Sequence, residues 1–131
     1  MPRTKKWTID DSENIYRVKR WGDGYFEIGQ NGNLHITPDP SNTDMRIDFK
    51  AVIDEIKQEG IQFPLVVRFH DILRSQVALL NKTFQNTLKE AEYNGGYMGV
   101  YPIKVNQMRE VVEEIVDAGA PFNYGLEAGS K

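Results

Sequence analysis

The chain has 131 residues, of which 40% are hydrophobic and 11% aromatic, and its formal net charge is −3. This length suits one ordinary domain or a part of a larger protein, and the composition supports a packed core rather than a disordered chain. The slightly negative charge gives no support for nucleic acid or an anionic membrane as a partner. The absence of cysteine excludes disulfides and thiolate metal sites within the chain.

The first 40 residues have the pattern of an antiparallel β segment. Residues 1–14 are polar, and we predict a poorly ordered tail there. Weak alternation predicts three short strands, at residues 15–18, 25–28 and 34–36. Asn31-Gly32, between the last two, is a strong signal for a hairpin turn. A Pro-rich break at 38–42 then predicts a linker, so the hairpin segment is expected to cover residues 15–40.

From residue 41 the pattern changes to helices that alternate with strands. Phe49, Val52, Ile53 and Ile56 have the spacing of an amphipathic helix, with Asp48 or Asp44 as its cap and Gly60 at its end. The following elements are a buried strand at 63–69, a helix with an inner stripe from Leu73 to Ala91, a strand that ends at Lys104, a helix over 108–119 and a short strand at 123–126. Such alternation predicts a parallel sheet, either open and doubly wound or closed into an eight-stranded barrel.

Lys104 stands out because it is the one charged residue in the mostly apolar run Gly95–Gln107. The carboxyl end of a strand is where α/β enzymes place their chemistry. A deprotonated lysine bonds covalently to aldehydes, and burial in apolar surroundings favours the neutral amine. The same position also suits a solvated lysine, or one that pairs with a carboxylate such as Glu127. His35 and His70 lack metal-ligand spacing, so no metal-binding residue is predicted.

The basic residues near the N-terminus are not followed by an apolar segment, so a secretory signal is not expected. No stretch of the sequence is long and apolar enough to cross a bilayer. We therefore expect a cytoplasmic protein with no membrane partner.

Four segments of the chain carry a family resemblance. They are Trp21-Gly-Asp-Gly-Tyr-Phe26, Phe63-Pro-Leu-Val-Val-Arg-Phe69, Gly99-Val-Tyr-Pro-Ile-Lys-Val-Asn-Gln107 and Gly125-Leu-Glu-Ala-Gly-Ser-Lys131. In this order and spacing they resemble the N-terminal region of biosynthetic arginine decarboxylases, from about Ile15 to Lys131. These are pyridoxal-phosphate enzymes of the alanine-racemase-like barrel class.

The resemblance implies a fold, a cofactor and a reaction. Residues 41–131 would form the first units of a pyridoxal-phosphate-binding (β/α)8 barrel, and the N-terminal antiparallel segment would belong to a second, β-rich domain. Lys104 would carry pyridoxal 5′-phosphate covalently, and Glu127 would lie near it on the next strand. The reaction would convert L-arginine to agmatine and CO2 for polyamine and spermidine synthesis, with Mg2+ as a further requirement. The complete protein would be a homo-oligomer.

The C-terminus stops where a new helix is expected, with Ser130 as its cap. We therefore expect the chain to be the N-terminal part of a longer protein and to be inactive by itself. Two alternatives stay open at this point. The chain could belong to a related decarboxylase that acts on diaminopimelate or ornithine, or to a non-catalytic homologue that binds a protein partner.

Overall fold

The computed structural model describes residues 6–42 and 44–129. The chain divides into two compact units, residues 1–67 and residues 68–131. The described elements are α1 (Ile9–Tyr16), α2 (Val18–Gly22), β1 (Phe26–Ile28), β2 (Leu34–Ile36), β3 (Ile47–Asp48), α3 (Phe49–Gln58), α4 (His70–Glu90), β4 (Val100–Pro102), α5 (Arg109–Gly119), a 3-10 turn (Ala120–Phe122) and β5 (Gly125–Glu127). One sheet is antiparallel and the other parallel, which confirms the α/β class. The predicted boundaries at residues 14 and 40 stay predictions.

The first unit begins with two helices where a tail and a strand were predicted. Thr8 caps α1, because its hydroxyl accepts from the Asp11 N–H at 3.2 Å while its own N–H donates to the Asp11 carboxylate at 3.0 Å. Arg17, in the left-handed region with φ 51°, ends α1. The predicted strand at 15–18 is therefore wrong, and residues 9–14 are helical. Local capping outweighs the weak alternation on which the strand was based.

The predicted hairpin is confirmed. Strands β1 and β2 pair antiparallel with Phe26 opposite Ile36, and β3 extends the sheet beyond β2. Gly32 has φ +80°, a left-handed conformation that glycine adopts without steric cost. The core of this unit contains Val18, Tyr25 and Ile36, which are all nearly inaccessible to solvent. The two-residue strand β3 was not predicted.

Asp48 joins the hairpin to α3. One of its carboxylate oxygens accepts from the Asn31 and Asn33 side chains at 2.9 and 2.8 Å, and the other accepts from the Lys50 N–H at 2.9 Å. The predicted capping role of Asp48 is thus confirmed, and α3 ends at Gln58, just before Gly60 with φ +78°. The hydrogen bonds from Asn33, foremost, and Asn31 hold the pKa of the Asp48 carboxyl below its usual value.

The predicted strand at 63–69 is wrong, since residues 61–69 contain neither helix nor strand. A strand exists only with a partner to receive its hydrogen bonds, and none of the described strands pairs with this stretch. Pro64 also lacks an N–H donor. As a result Phe63 and Val66 are exposed, and the Lys57 ammonium lies 5.6 Å from the Phe63 ring centre.

In the second unit, α4 and α5 pack together and cover one side of the β4–β5 sheet. Their buried contacts are Val77, Val111 and Ile115, with Leu73, Tyr101, Ala118 and Tyr124 packed around them. The predicted stripe of α4 is confirmed at Val77. Further along, Leu80 and Phe84 are 42% and 45% exposed, and Asn81 is fully buried instead. Phe84 stacks on Tyr97 with ring centres 4.2 Å apart.

Tyr124 fixes the close approach between the end of α5 and the sheet. A Cβ on Gly119 would lie 2.6 Å from the Tyr124 Cβ, and a Cβ on Gly99 would overlap the Tyr124 ring. Burial raises the pKa of the Tyr124 phenol, so this side chain stays neutral and acts as a packing residue. No helix within residues 6–42 and 44–129 combines the length and apolarity needed to span a bilayer.

Candidate functional site

The site predicted around Lys104 lies at the carboxyl ends of β4 and β5. These strands are parallel, with Tyr101 opposite Leu126 and Pro102 opposite Glu127, and α5 connects them. The pairing continues past the end of β4, because the Ile103 N–H donates to the Glu127 carbonyl at 3.1 Å. The segments that leave the two strands therefore start side by side, at the sheet edge where α/β enzymes place reactive groups.

The two faces of this sheet differ in what covers them. Tyr101 and Tyr124 pack against the cluster formed by α4 and α5. Since side chains alternate along a strand, Val100 and Gly125 belong to the opposite face, and a Cβ on Gly125 would lie 3.8 Å from the Val100 Cγ1. Glu127 shares that face by the same alternation. The face opposite the α4–α5 cluster thus carries the acidic residue of the predicted site.

Lys104 lies in a tight turn just after β4, closed by a hydrogen bond from the Val105 N–H to the Pro102 carbonyl at 3.0 Å. Hydrogen bonds also fix the conformation of the residues that follow this turn. The Tyr101 hydroxyl donates to the Asn106 carbonyl at 3.2 Å, and the Asn106 side chain accepts from the Met108 N–H at 3.0 Å. Tyr101 thereby links the buried cluster to the loop that carries Lys104.

The structure brings the two predicted site residues to the same small space. A Cβ built on Gly129 would lie 2.9 Å from the Glu127 Oε1 and 3.7 Å from the Lys104 Nζ. Glu127 is partly buried, whereas Lys104 is exposed. The exposed position is one of the settings that the sequence left open for Lys104. It arises because only Val100–Pro102 pair as a strand and the lysine follows in the turn.

Other charged side chains of this unit form ion pairs between α4 and α5. The Arg74 Nε lies 2.5 Å from the Glu114 carboxylate, and the His70 Nδ1 lies 3.8 Å from it. The hydrogen bond to Glu114 raises the pKa of the Arg74 guanidinium. In the first unit, the His35 Nε2 lies 3.8 Å from Asp48. No group of three His, Asp or Glu side chains in the described residues could hold a metal ion.

Three contributors to the site were not found from the sequence. Gly129 lies within the quoted Leu-Glu-Ala-Gly-Ser-Lys segment, but its role depends on a close approach that only coordinates reveal. Tyr101 and Asn106 were grouped with the apolar run, although a tyrosine and an asparagine within it are polar groups that need partners when they are buried. The predicted helix cap at Ser130 lies outside the described residues.

The sequence is similar to curated proteins over nearly its whole length. It is 45% identical over 125 residues to a biosynthetic arginine decarboxylase of Gloeobacter violaceus, and 42% identical over 127 residues to one of Prochlorococcus marinus and to a biosynthetic arginine decarboxylase 1 of Synechocystis. These matches cover 95–97% of this chain but only 18–19% of the length of each relative. No family model matches the chain. The relatives nevertheless confirm the predicted resemblance: this chain is similar over 95–97% of its length to part of the biosynthetic arginine decarboxylases.

Proposed function

We propose that the chain contributes the cofactor-binding lysine to a pyridoxal-phosphate-dependent decarboxylase that converts L-arginine to agmatine and CO2 in polyamine synthesis. The observation that supports this most directly is the convergence of the Lys104 amine and the Glu127 carboxylate beside Gly129. These groups come from neighbouring parallel strands, at the edge where this class of fold places its active site. The relatives named as arginine decarboxylases favour arginine over the other amino acids considered.

The residues at this edge suit pyridoxal phosphate. Lys104 is an accessible primary amine on a short, hydrogen-bonded turn, so an aldehyde can reach its Nζ. When bound, the cofactor supplies an electron sink for the electron pair that the departing carboxylate leaves behind. Lys104 would hold the cofactor and exchange protons at its Nζ. When the Lys104 amine is protonated, the negatively charged Glu127 carboxylate would attract it and so orient it.

The packing of the sheet supports the proposed barrel. In a (β/α)8 barrel all helices lie outside, and the inner face of each strand is free of helices. Both α4 and α5 lie on one side of β4–β5, and Glu127 belongs to the other. Catalytic residues of barrels come from the ends of several strands. We therefore propose that this chain needs further strands to be active. Magnesium is part of the proposal only through the family resemblance, and we assign it no ligand in this chain.

The function can be tested in a hybrid enzyme. The matching segment of the Gloeobacter violaceus relative would be replaced by this chain, and decarboxylation would be measured with arginine, ornithine and diaminopimelate. We expect agmatine formation from arginine, loss of activity by at least about a thousandfold in Lys104→Ala, and retained activity in Lys89→Ala, which changes an exposed lysine of α4. A hybrid that binds the cofactor but decarboxylates another amino acid would contradict the proposal.

A second measurement locates the covalent bond. The hybrid and the 131-residue chain would each be incubated with pyridoxal 5′-phosphate, reduced with borohydride and digested for mass spectrometry. We expect the label on Lys104 in the hybrid. A label shared evenly among exposed lysines such as Lys82 and Lys89 would remove the assigned role from Lys104.

A further inference from the structure

Gly129, two residues after β5, occupies the space between the two proposed active-site groups. An added Cβ would come within 2.9 Å of the Glu127 Oε1, closer than real Cβ atoms approach other atoms, and would lie in contact with the Lys104 Nζ at 3.7 Å. The missing side chain therefore leaves room for both the Glu127 carboxylate and the Lys104 amine next to Gly129.

The backbone of Gly129 does not itself require glycine. The described glycines with positive φ are Gly24, Gly32 and Gly60, and Gly129 is not among them. Gly32 illustrates the opposite case, because a Cβ there meets nothing within 4 Å but its φ of +80° disfavours other residues. At Gly129 the constraint is space, and the space belongs to Glu127 and Lys104.

We propose that Gly129 is a positioning residue whose missing Cβ keeps the Glu127 carboxylate beside the Lys104 amine. The atom that an alanine would displace is the far end of a flexible side chain, so the substitution moves the carboxylate without disturbing the fold. The consequence for cofactor binding rests on the function proposed above, whereas the arrangement of Gly129, Glu127 and Lys104 is independent of that function.

A carbodiimide cross-link tests the arrangement directly in the 131-residue chain. The reagent activates the Glu127 carboxylate, the neutral Lys104 amine attacks the activated carbonyl, and an amide forms as the urea by-product leaves. We expect a Glu127–Lys104 cross-link by mass spectrometry. Lys104 and Glu127 form no ion pair in the structure, so the preference that brings them together is weak, as for exposed charges in general. Its loss in Gly129→Ala should lower the yield about two- to fivefold. Gly96→Ala, where a Cβ meets nothing within 4 Å, should leave the yield unchanged.

One further variant and one further measurement separate positioning from a general loss of structure. Glu127→Gln should abolish the cross-link, and the helical circular dichroism of Gly129→Ala should match that of the unmodified chain. Absence of the cross-link in the unmodified chain, or an unchanged yield in Gly129→Ala, would overturn the proposal. A reduced cross-link in Gly129→Ala without any pyridoxal-phosphate label on Lys104 in the hybrid would instead refute the proposed function and leave the positioning role intact.

In the hybrid, the same positioning predicts non-additive effects on cofactor attachment. Gly129→Ala should lower the fraction of Lys104 that carries the reduced label about two- to fivefold, but it should have no further effect when Glu127 is already glutamine. Equal effects of Gly129→Ala in both backgrounds would show that the glycine acts independently of Glu127.

Discussion

Replacing Asn81 by leucine should stabilise the second unit, although asparagine is the residue present. Asn81 is fully buried on α4, and its Nδ2 donates to the Val77 carbonyl at 2.8 Å, while its Oδ1 has no hydrogen-bond partner. A buried polar atom without a partner costs about 1–3 kcal/mol, and the side-chain bond that would be lost contributes about 0.5–1.5 kcal/mol. Leucine has the same branching, so we expect a net gain of about 1 kcal/mol.

The control for this prediction is Asn86→Leu, at an exposed position of the same helix. Both substitutions raise helix propensity by the same amount, about 0.5 kcal/mol, so the difference between them reports on the buried environment of residue 81 rather than on propensity. Urea unfolding would be followed by hydrogen exchange in α4. Trp7 and Trp21, the two tryptophans, both lie in the first unit and report on it separately by fluorescence. If Asn81→Leu is less stable than the unmodified chain while Asn86→Leu is not, the reasoning is wrong.

Two further predictions concern packing and pH. Gly119→Ala places a Cβ 2.6 Å from the Tyr124 Cβ, a backbone-proximal atom that cannot swing away, so we expect a loss of about 1–3 kcal/mol in urea unfolding, against no loss for Gly96→Ala. The pKa of the Asp48 carboxyl is lower in the folded chain than that of an aspartate in an unfolded chain. Its stabilising contribution is therefore present above that value and lost as pH falls through the lower, folded pKa. Tryptophan fluorescence should show that the free energy of unfolding of the first unit falls in acid. This dependence on pH should be smaller in Asn33→Ala.

The sequence predicted best those elements whose signals are local. Asn31-Gly32 determined the hairpin, and Asp48 determined the start of α3, because a turn and a cap depend on a few adjacent residues. The predicted strand at 63–69 depended on partners far along the chain, and its apolar composition did not supply them. The helix α1 was missed because its Thr8–Asp11 cap uses aspartate in place of the more usual glutamate.

Only part of the candidate site could be predicted, again because only local signals are visible in the sequence. Lys104 and Glu127 could be selected because they lie in segments that resemble a known family and follow strands. The contribution of Gly129 could not be predicted, because in a sequence a glycine that leaves space for its neighbours looks the same as a glycine that forms a turn. The exposure of Lys104 could not be decided from the sequence either, because the length of an apolar run does not say how many of its residues pair as a strand.

The position of the reactive groups follows from the way the second unit buries its apolar surface. Because Val77, Val111 and Ile115 draw both helices to the side of Tyr101 and Tyr124, alternation along β5 leaves Glu127 on the other side. A charged carboxylate on the helix-covered side would lose its hydration and would need a buried partner. On the opposite side, Glu127 is partly accessible and Lys104 is exposed. The same packing that stabilises the unit therefore leaves the carboxylate of the candidate site on the sheet face opposite the α4–α5 cluster.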